Sequence, residues 1–206
     1  MITTQTRPPK NLAIMLDSET TGLNANKNHV LEIALRVVNH DSGEILCSYD
    51  SVIRLSKDEW AQAHPKALEV NGFTWQDVTE KGKDRKEVAF EITQLFKKHE
   101  ISRRNAYFLC QNPSFDCPFF AQILSEDEQG ANQFPYHWLD LASMVFALER
   151  KEIVKGEREN ISYYLSKDSI AERYGIPPEE KPHKAMNGVD HLLKIYEKVI
   201  GFRNKS

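Results

Sequence analysis

A chain of 206 residues that is 40% hydrophobic and 28% charged can bury the core of one domain. Its formal net charge of −3 excludes a generic basic nucleic-acid coat. It leaves room for an enzyme that meets nucleic acid through metal ions, because acids gathered around bound cations still count as negative in that sum. No apolar run approaches the roughly 18 residues of a membrane span. Residues 1–10 are polar, hold two prolines and lack a signal-peptide core, so a frayed lead-in and a cytoplasmic protein are expected. The three cysteines, Cys47, Cys110 and Cys117, have no metal-ligand spacing and read as small buried hydrophobes.

Leu12-Ala13-Ile14-Met15-Leu16 is an apolar run of strand length, ending at Asp17-Ser18-Glu19-Thr20-Thr21-Gly22. Residues 30–38 and 44–55 read as two more strands joined by the turn His40-Asp41-Ser42-Gly43. Residues 57–80 carry mixed helical and turn signals. Residues 84–99 predict a helix, with Val88, Ile92, Leu95 and Phe96 at helical spacing. Residues 106–110 read as a buried strand parallel to the first, followed by Pro113 and a helix over 115–124. Residues 126–132 read as an acidic loop and 136–139 as a fifth strand. A helix is expected over 142–150, a solvated charge run over 151–160 and a short helix over 169–174. A last helix starts at Ala185 or Val189 and runs to Ile200. A hairpin followed by alternating helices and strands predicts one α/β domain with a mixed central sheet.

Three stretches carry chemistry. Residues i and i+2 of a strand share a face, so Asp17 and Glu19 aim at one spot. Side-by-side buried carboxylates need neutralising, and hard oxygen ligands suit magnesium or manganese; the alternative is a strand end whose acids face solvent. Asp116, in Gln111-Asn112-Pro113-Ser114-Phe115-Asp116, falls in a first helical turn after a buried strand, where it either joins the acids or serves the helix dipole. His183 and Asp190 frame the entrance to the last helix.

Together these stretches resemble the DEDDh, or DnaQ-like, 3′–5′ exonucleases, the family of ribonuclease T and the polymerase proofreading subunit. Asp17-x-Glu19-Thr20-Thr21-Gly22-Leu23 is similar to its first motif, Asn112-x-x-x-Asp116 to its second, and His183 to part of its third. Trp138-Leu139-Asp140-Leu141 and Ile170-Ala171-Glu172-Arg173-Tyr174-Gly175-Ile176 also resemble family stretches. The resemblance implies a ribonuclease-H-like fold, a five-stranded mixed sheet flanked by helices. It implies two Mg²⁺ or Mn²⁺ ions roughly 3.5–4 Å apart, held by Asp17, Glu19, Asp116 and a fourth acid, with His183 as general base. The implied reaction is release of nucleoside 5′-monophosphates from the 3′ end of single-stranded DNA or RNA.

In the family Thr20, Thr21, Gly22 and Leu23 hold the terminal nucleotide, and Asn112 belongs to the second motif. Phe73 reads as a stacking platform or as core, and Lys81, Lys83, Arg85 and Lys86 as phosphate contacts or as a solvated loop. The chain departs from the third motif: the family's acid five residues after the His is Gly188 here. Since Asn187-Gly188 is a turn dipeptide, the expectation is a longer loop, a helix opening near Val189, and Asp190 as the fourth carboxylate. The alternative is a catalytically weakened nucleic-acid-binding relative; more distant is a regulatory protein that reuses the fold. With Ser206 just past the last helix, no polymerase-binding tail is expected.

Overall fold

The structure, a computed structural model, describes residues 11–203; the expected lead-in lies outside them. β1 (Leu12–Thr20), β2 (Val30–Asn39) and β3 (Ile45–Val52) form an antiparallel meander. β4 (Ala106–Cys110) adds parallel to β1, and β5 (Trp138–Asp140) parallel to β4, giving the order β3-β2-β1-β4-β5. This is the five-stranded mixed sheet that the sequence predicts. Between β3 and β4 lie the short helices α1 (Lys57–Ala61), α2 (Pro65–Asn71) and α3 (Trp75–Lys81), then α4 (Arg85–Lys98). α5 (Pro113–Phe120) and α6 (Glu126–Ala131) separate β4 from β5. α7 (Leu141–Lys155), α8 (Lys167–Arg173) and α9 (Ala185–Val199) complete the described chain. No helix among the described residues is long and apolar enough to cross a membrane.

The central strand explains the layering. Leu12, Ile14 and Leu16 face one side of β1, where they join the core formed with Val88, Ile92 and Phe96 of α4 and Phe119 and Phe120 of α5. Met15 faces the other, with Leu141 and Val145 of α7, Ile170 of α8 and Val189, Leu192 and Ile195 of α9. Both faces are covered, as expected for a strand that reads as a continuous apolar run. Phe108 of β4 stacks on Trp138 of β5 at 4.1 Å and 11°, a contact that adds about 0.5–1.5 kcal/mol beyond burial.

Three boundaries differ from expectation. Residues 126–132 are not a loop but α6, opened by a capping box in which Ser125 and Glu128 satisfy each other's backbone amides. α7 runs through Lys155 into the charge run and stops at Gly156, whose φ of 77° closes the helix in the left-handed conformation. α9 begins at Ala185, so no extra loop precedes it.

Candidate active site

β1 outruns its parallel partner. Pairing with β4 ends at Met15↔Leu109, while pairing with β2 continues to Thr20↔Val30. The last residues of β1 therefore project into the crevice beyond the carboxyl end of β4, where an open sheet of this kind offers a site. Asp17 and Glu19 point to the α9 side of the sheet. Ser18 points to the other side, and its hydroxyl donates to Asp116 Oδ1 at 2.6 Å. Asp116 reaches the same place because β4 turns sharply at Asn112, in the left-handed conformation at φ 57°, and enters α5 through Pro113. Asp116 is 3% exposed.

A fourth carboxylate arrives from Glu179, in the segment between α8 and α9. It is buried, and one ligand atom each from Glu19, Glu179 and His183 lie within 4.8 Å of one another. Glu179 Oε2 is 2.7 Å from Lys167 Nζ, while its Oε1 is buried without a hydrogen-bond partner. Lys167, the first residue of α8, also places Nζ 3.4 Å from Asp17 Oδ1 and 3.4 Å from the Gly188 carbonyl oxygen.

Burial dominates the electrostatics. It pushes the Asp17 carboxyl above the usual carboxylate range, against the pull of Lys167. Glu19 rises to about 8 through burial and the charges of Asp17 and Glu179. Asp116 rises to about 8 through burial and Asp17, despite the Ser18 hydrogen bond. Burial alone would lower Lys167, but Asp17 and Glu179 hold its ammonium charged. Acids forced together in this way, with an orphaned carboxylate oxygen beside them, fit a hard divalent cation. Glu19 and Glu179 would hold it, flanked by Asp17 and His183.

Asp17, Glu19, Lys167, Glu179 and His183 line one end of a cleft of about 1040 Å³, with Asp116 buried behind Ser18. Its opposite wall is the apolar side of α2 and the turn before it, including Ala63, Pro65, Ala67 and Val70, and Leu23 stands on its rim at 86% exposure. The Thr20-Thr21-Gly22 turn is fixed from below. Thr20 Oγ1 donates to the Gly22 carbonyl, the His29 amide donates to Thr21 Oγ1, and Asn71 Nδ2 donates to the Thr20 carbonyl.

Several expected site residues lie elsewhere. Asp190 does not supply the fourth carboxylate: with α9 opening at Ala185, it grips Arg36 of β2 in a two-pronged ion pair of 2.5 and 2.9 Å. The carboxylate that the structure brings beside Glu19 and His183 is Glu179. At Gly188 a Cβ atom would meet Asp17 Oδ2 and Lys167 Nζ, the ends of two flexible side chains that would have to move aside for any larger residue. Phe73 is core, 6% exposed, under the Lys184 ammonium at 3.6 Å, and offers no face to a base. Asn112 is exposed outside the cleft lining, where its side-chain oxygen accepts from Ser114. Lys81, Lys83 and Arg85 are paired with Asp77, Glu91 and Glu59, away from the cleft, and Lys86 also lies outside it.

A nuclease-type acidic centre on a ribonuclease-H-like fold is the class that this geometry defines. The profile described as "Exonuclease" (RNase_T) matches residues 14–196, and the chain belongs to that family, the DnaQ-like 3′–5′ exonucleases. It is similar to ribonuclease T of Shewanella denitrificans, 25% identical over 135 residues that cover 64% of this chain and 60% of the relative. It is also similar to an oligoribonuclease of Arabidopsis thaliana, 25% identical over 196 residues that cover 91% and 77% of the two chains. Among solved structures, E. coli exonuclease I in complex with a 5cy-dT13 oligonucleotide shares the fold with a TM-score of 0.71 at 16% identity, covering 92% of this chain and 40% of that one. The chain thus spans less than two thirds of the ribonuclease T and exonuclease I chains it matches.

Proposed function

We propose that this protein is a divalent-metal-dependent 3′–5′ exonuclease that removes nucleoside 5′-monophosphates from single strands. The observation that carries this reading is the convergence of Asp17, Glu19, Glu179 and His183 at one end of an open cleft, with Asp116 buried behind them on the Ser18 hydroxyl. A bound Mg²⁺ or Mn²⁺ supplies Lewis acidity at the scissile phosphate and makes water a better nucleophile. The protein's own groups do the rest. Asp17, Glu19, Asp116 and Glu179 set the negative field that draws the cation in, and His183 accepts the proton of the attacking water. Leu23, apolar and projecting from the rim, packs against the terminal base without reading its identity, and Lys27 and Lys66 on the lining attract the phosphate chain. The exonuclease I neighbour, solved with a single-stranded oligonucleotide, supports a single strand as the class of substrate.

End-labelled single strands of DNA and RNA, assayed in parallel, test this. Mg²⁺ or Mn²⁺ is expected to support stepwise shortening from the 3′ end and EDTA to stop it; a 3′ block protects and a 5′ block does not. Undiminished cleavage in excess EDTA, or cutting of a circular single strand, would refute the proposal. A second reading, a binding relative with little catalysis, is favoured by one observation: Gly188 stands where the family has an acid. Metal-dependent binding without shortening is the result that supports it.

The Asp190–Arg36 pair gives a sharp control. Its carboxylate is 38% exposed and the pair lies outside the cleft. Asp190→Ala is expected to leave turnover within about twofold and to cost at most about 1 kcal/mol of stability, the ordinary range for such a pair. A loss of turnover by orders of magnitude in a folded Asp190→Ala variant would return Asp190 to the catalytic set.

A further inference from the structure

We infer that the Lys167 ammonium stands in for one of the two cations of the family's site, so that this chain binds a single divalent ion. The inference rests on the proposed metal site but not on nuclease turnover. Three independent features meet at one point.

The first is a missing ligand. Gly188 lies directly against Asp17, and a side chain there would overlap Asp17 Oδ2 and approach Lys167 Nζ to 2.9 Å. The acid at that position, the partner that would share an ion with Asp17, is absent, and the space it would take is held by the Asp17 carboxylate and the Lys167 ammonium. The second is a fixed positive charge in the same place. Lys167 Nζ contacts Asp17 Oδ1 at 3.4 Å, the Gly188 carbonyl at 3.4 Å and Glu179 Oε2 at 2.7 Å. An ammonium donates up to three hydrogen bonds, and here its three neighbours are all oxygens of the acidic centre or of Gly188 itself. Magnesium needs oxygens at about 2.0–2.1 Å. It cannot share Asp17 Oδ1 with an ammonium already placed there without strong charge repulsion.

The third feature is what remains. Glu179 spends Oε2 on Lys167 and keeps a buried, unpartnered Oε1. Together with Glu19 and His183 it frames one compact set of donors. Lys167 thus has two effects: it fills one cation position and fixes Glu179 as a ligand for the other. It arrives by an unusual route, since a cation at the first residue of a helix works against the helix dipole. That placement is tolerated because Asp17 and Glu179 surround it.

The test is a count of Mn²⁺ bound by the full chain, followed by the electron paramagnetic resonance of free Mn²⁺ at neutral pH. One equivalent per chain is expected for the parent. The double variant Lys167→Met/Gly188→Asp is expected to bind two, and Lys167→Glu, which puts an oxygen donor where the ammonium was, is expected to do the same. Two equivalents in the parent overturn the inference, as does a count of one in both variants when circular dichroism shows them folded. No Mn²⁺ bound by the parent overturns the inference and the metal-dependent reading together. One ion bound without strand shortening leaves the inference standing and removes the exonuclease proposal.

Discussion

Asp116→Asn is expected to reduce turnover at least about a hundredfold, the scale of losing one preorganised electrostatic contact in a site, while making the metal-free protein more stable at alkaline pH. The two effects share one cause. Asp116 is almost wholly buried, and its pKa is held at about 8 by burial and by Asp17. A group whose folded pKa lies above its unfolded value of 3.8 contributes stability that is fully present below that lower value and is lost as the pH rises through about 8. Glu19 behaves alike, from 4.5 to about 8. The metal-free protein should therefore melt at a lower temperature at pH 9 than at pH 5. The Asn side chain keeps an oxygen to accept the Ser18 hydroxyl and carries no charge, so the melting difference between the two pH values should shrink in the variant. Thermal melts in EDTA at both pH values, beside assays with Mg²⁺, check this. A variant that is less stable than its parent at pH 9 and retains turnover would show that Asp116 serves only the helix.

The acids that this variant probes were legible in the sequence because their placement is local. Strand period puts Asp17 and Glu19 on one face, and the first turn after Pro113 puts Asp116 against Ser18 between them. The other half of the site was not local. Glu179 lies in Pro177-Pro178-Glu179-Glu180, a stretch without helical or strand period, and tertiary packing alone carries it to His183. An acid held between prolines four residues before a candidate His was the available signal, and Lys167 at a helix start was another.

Asp190 shows the reverse failure. The turn propensity of Asn187-Gly188 argued for a late helix start, but the buried Glu32 of β2 accepts the Ala185 amide at 2.7 Å and caps α9 there. That bond, from a strand more than a hundred residues away in sequence, outweighs a local preference. Gly within a helix costs about 1 kcal/mol relative to Ala; here its missing side chain lets the Asp17 carboxylate and the Lys167 ammonium sit directly against α9. α6 was missed for a different reason. Ser125-x-x-Glu128 is a capping box legible in the sequence, while the acids and Gly130 favour a loop.

His183→Ala is expected to lower turnover by about a hundred- to ten-thousandfold, the usual contribution of a positioned general base, while leaving the ion count at one. The reason to place His183 in that role is how firmly a loop residue is held. Its own amide donates to the Val70 carbonyl at 3.1 Å. The next residue, Lys184, donates to the Asn71 carbonyl at 2.9 Å and covers the Phe73 ring, and Ala185 is tied to Glu32. The imidazole is therefore presented to the cleft, beside Glu19 and Glu179, by backbone anchored to α2 on one side and to β2 on the other. Such pre-positioning is what lets a base act without first ordering its loop. Truncation at Cβ leaves those anchors intact, so the fold and the carboxylates should persist and the loss should appear in kcat rather than KM. Rate measurements with and without added imidazole, together with the Mn²⁺ count, separate the possible roles. A loss partly restored by imidazole with one ion still bound identifies the base. Loss of the ion makes His183 a ligand instead, and unchanged kcat removes it from the chemistry.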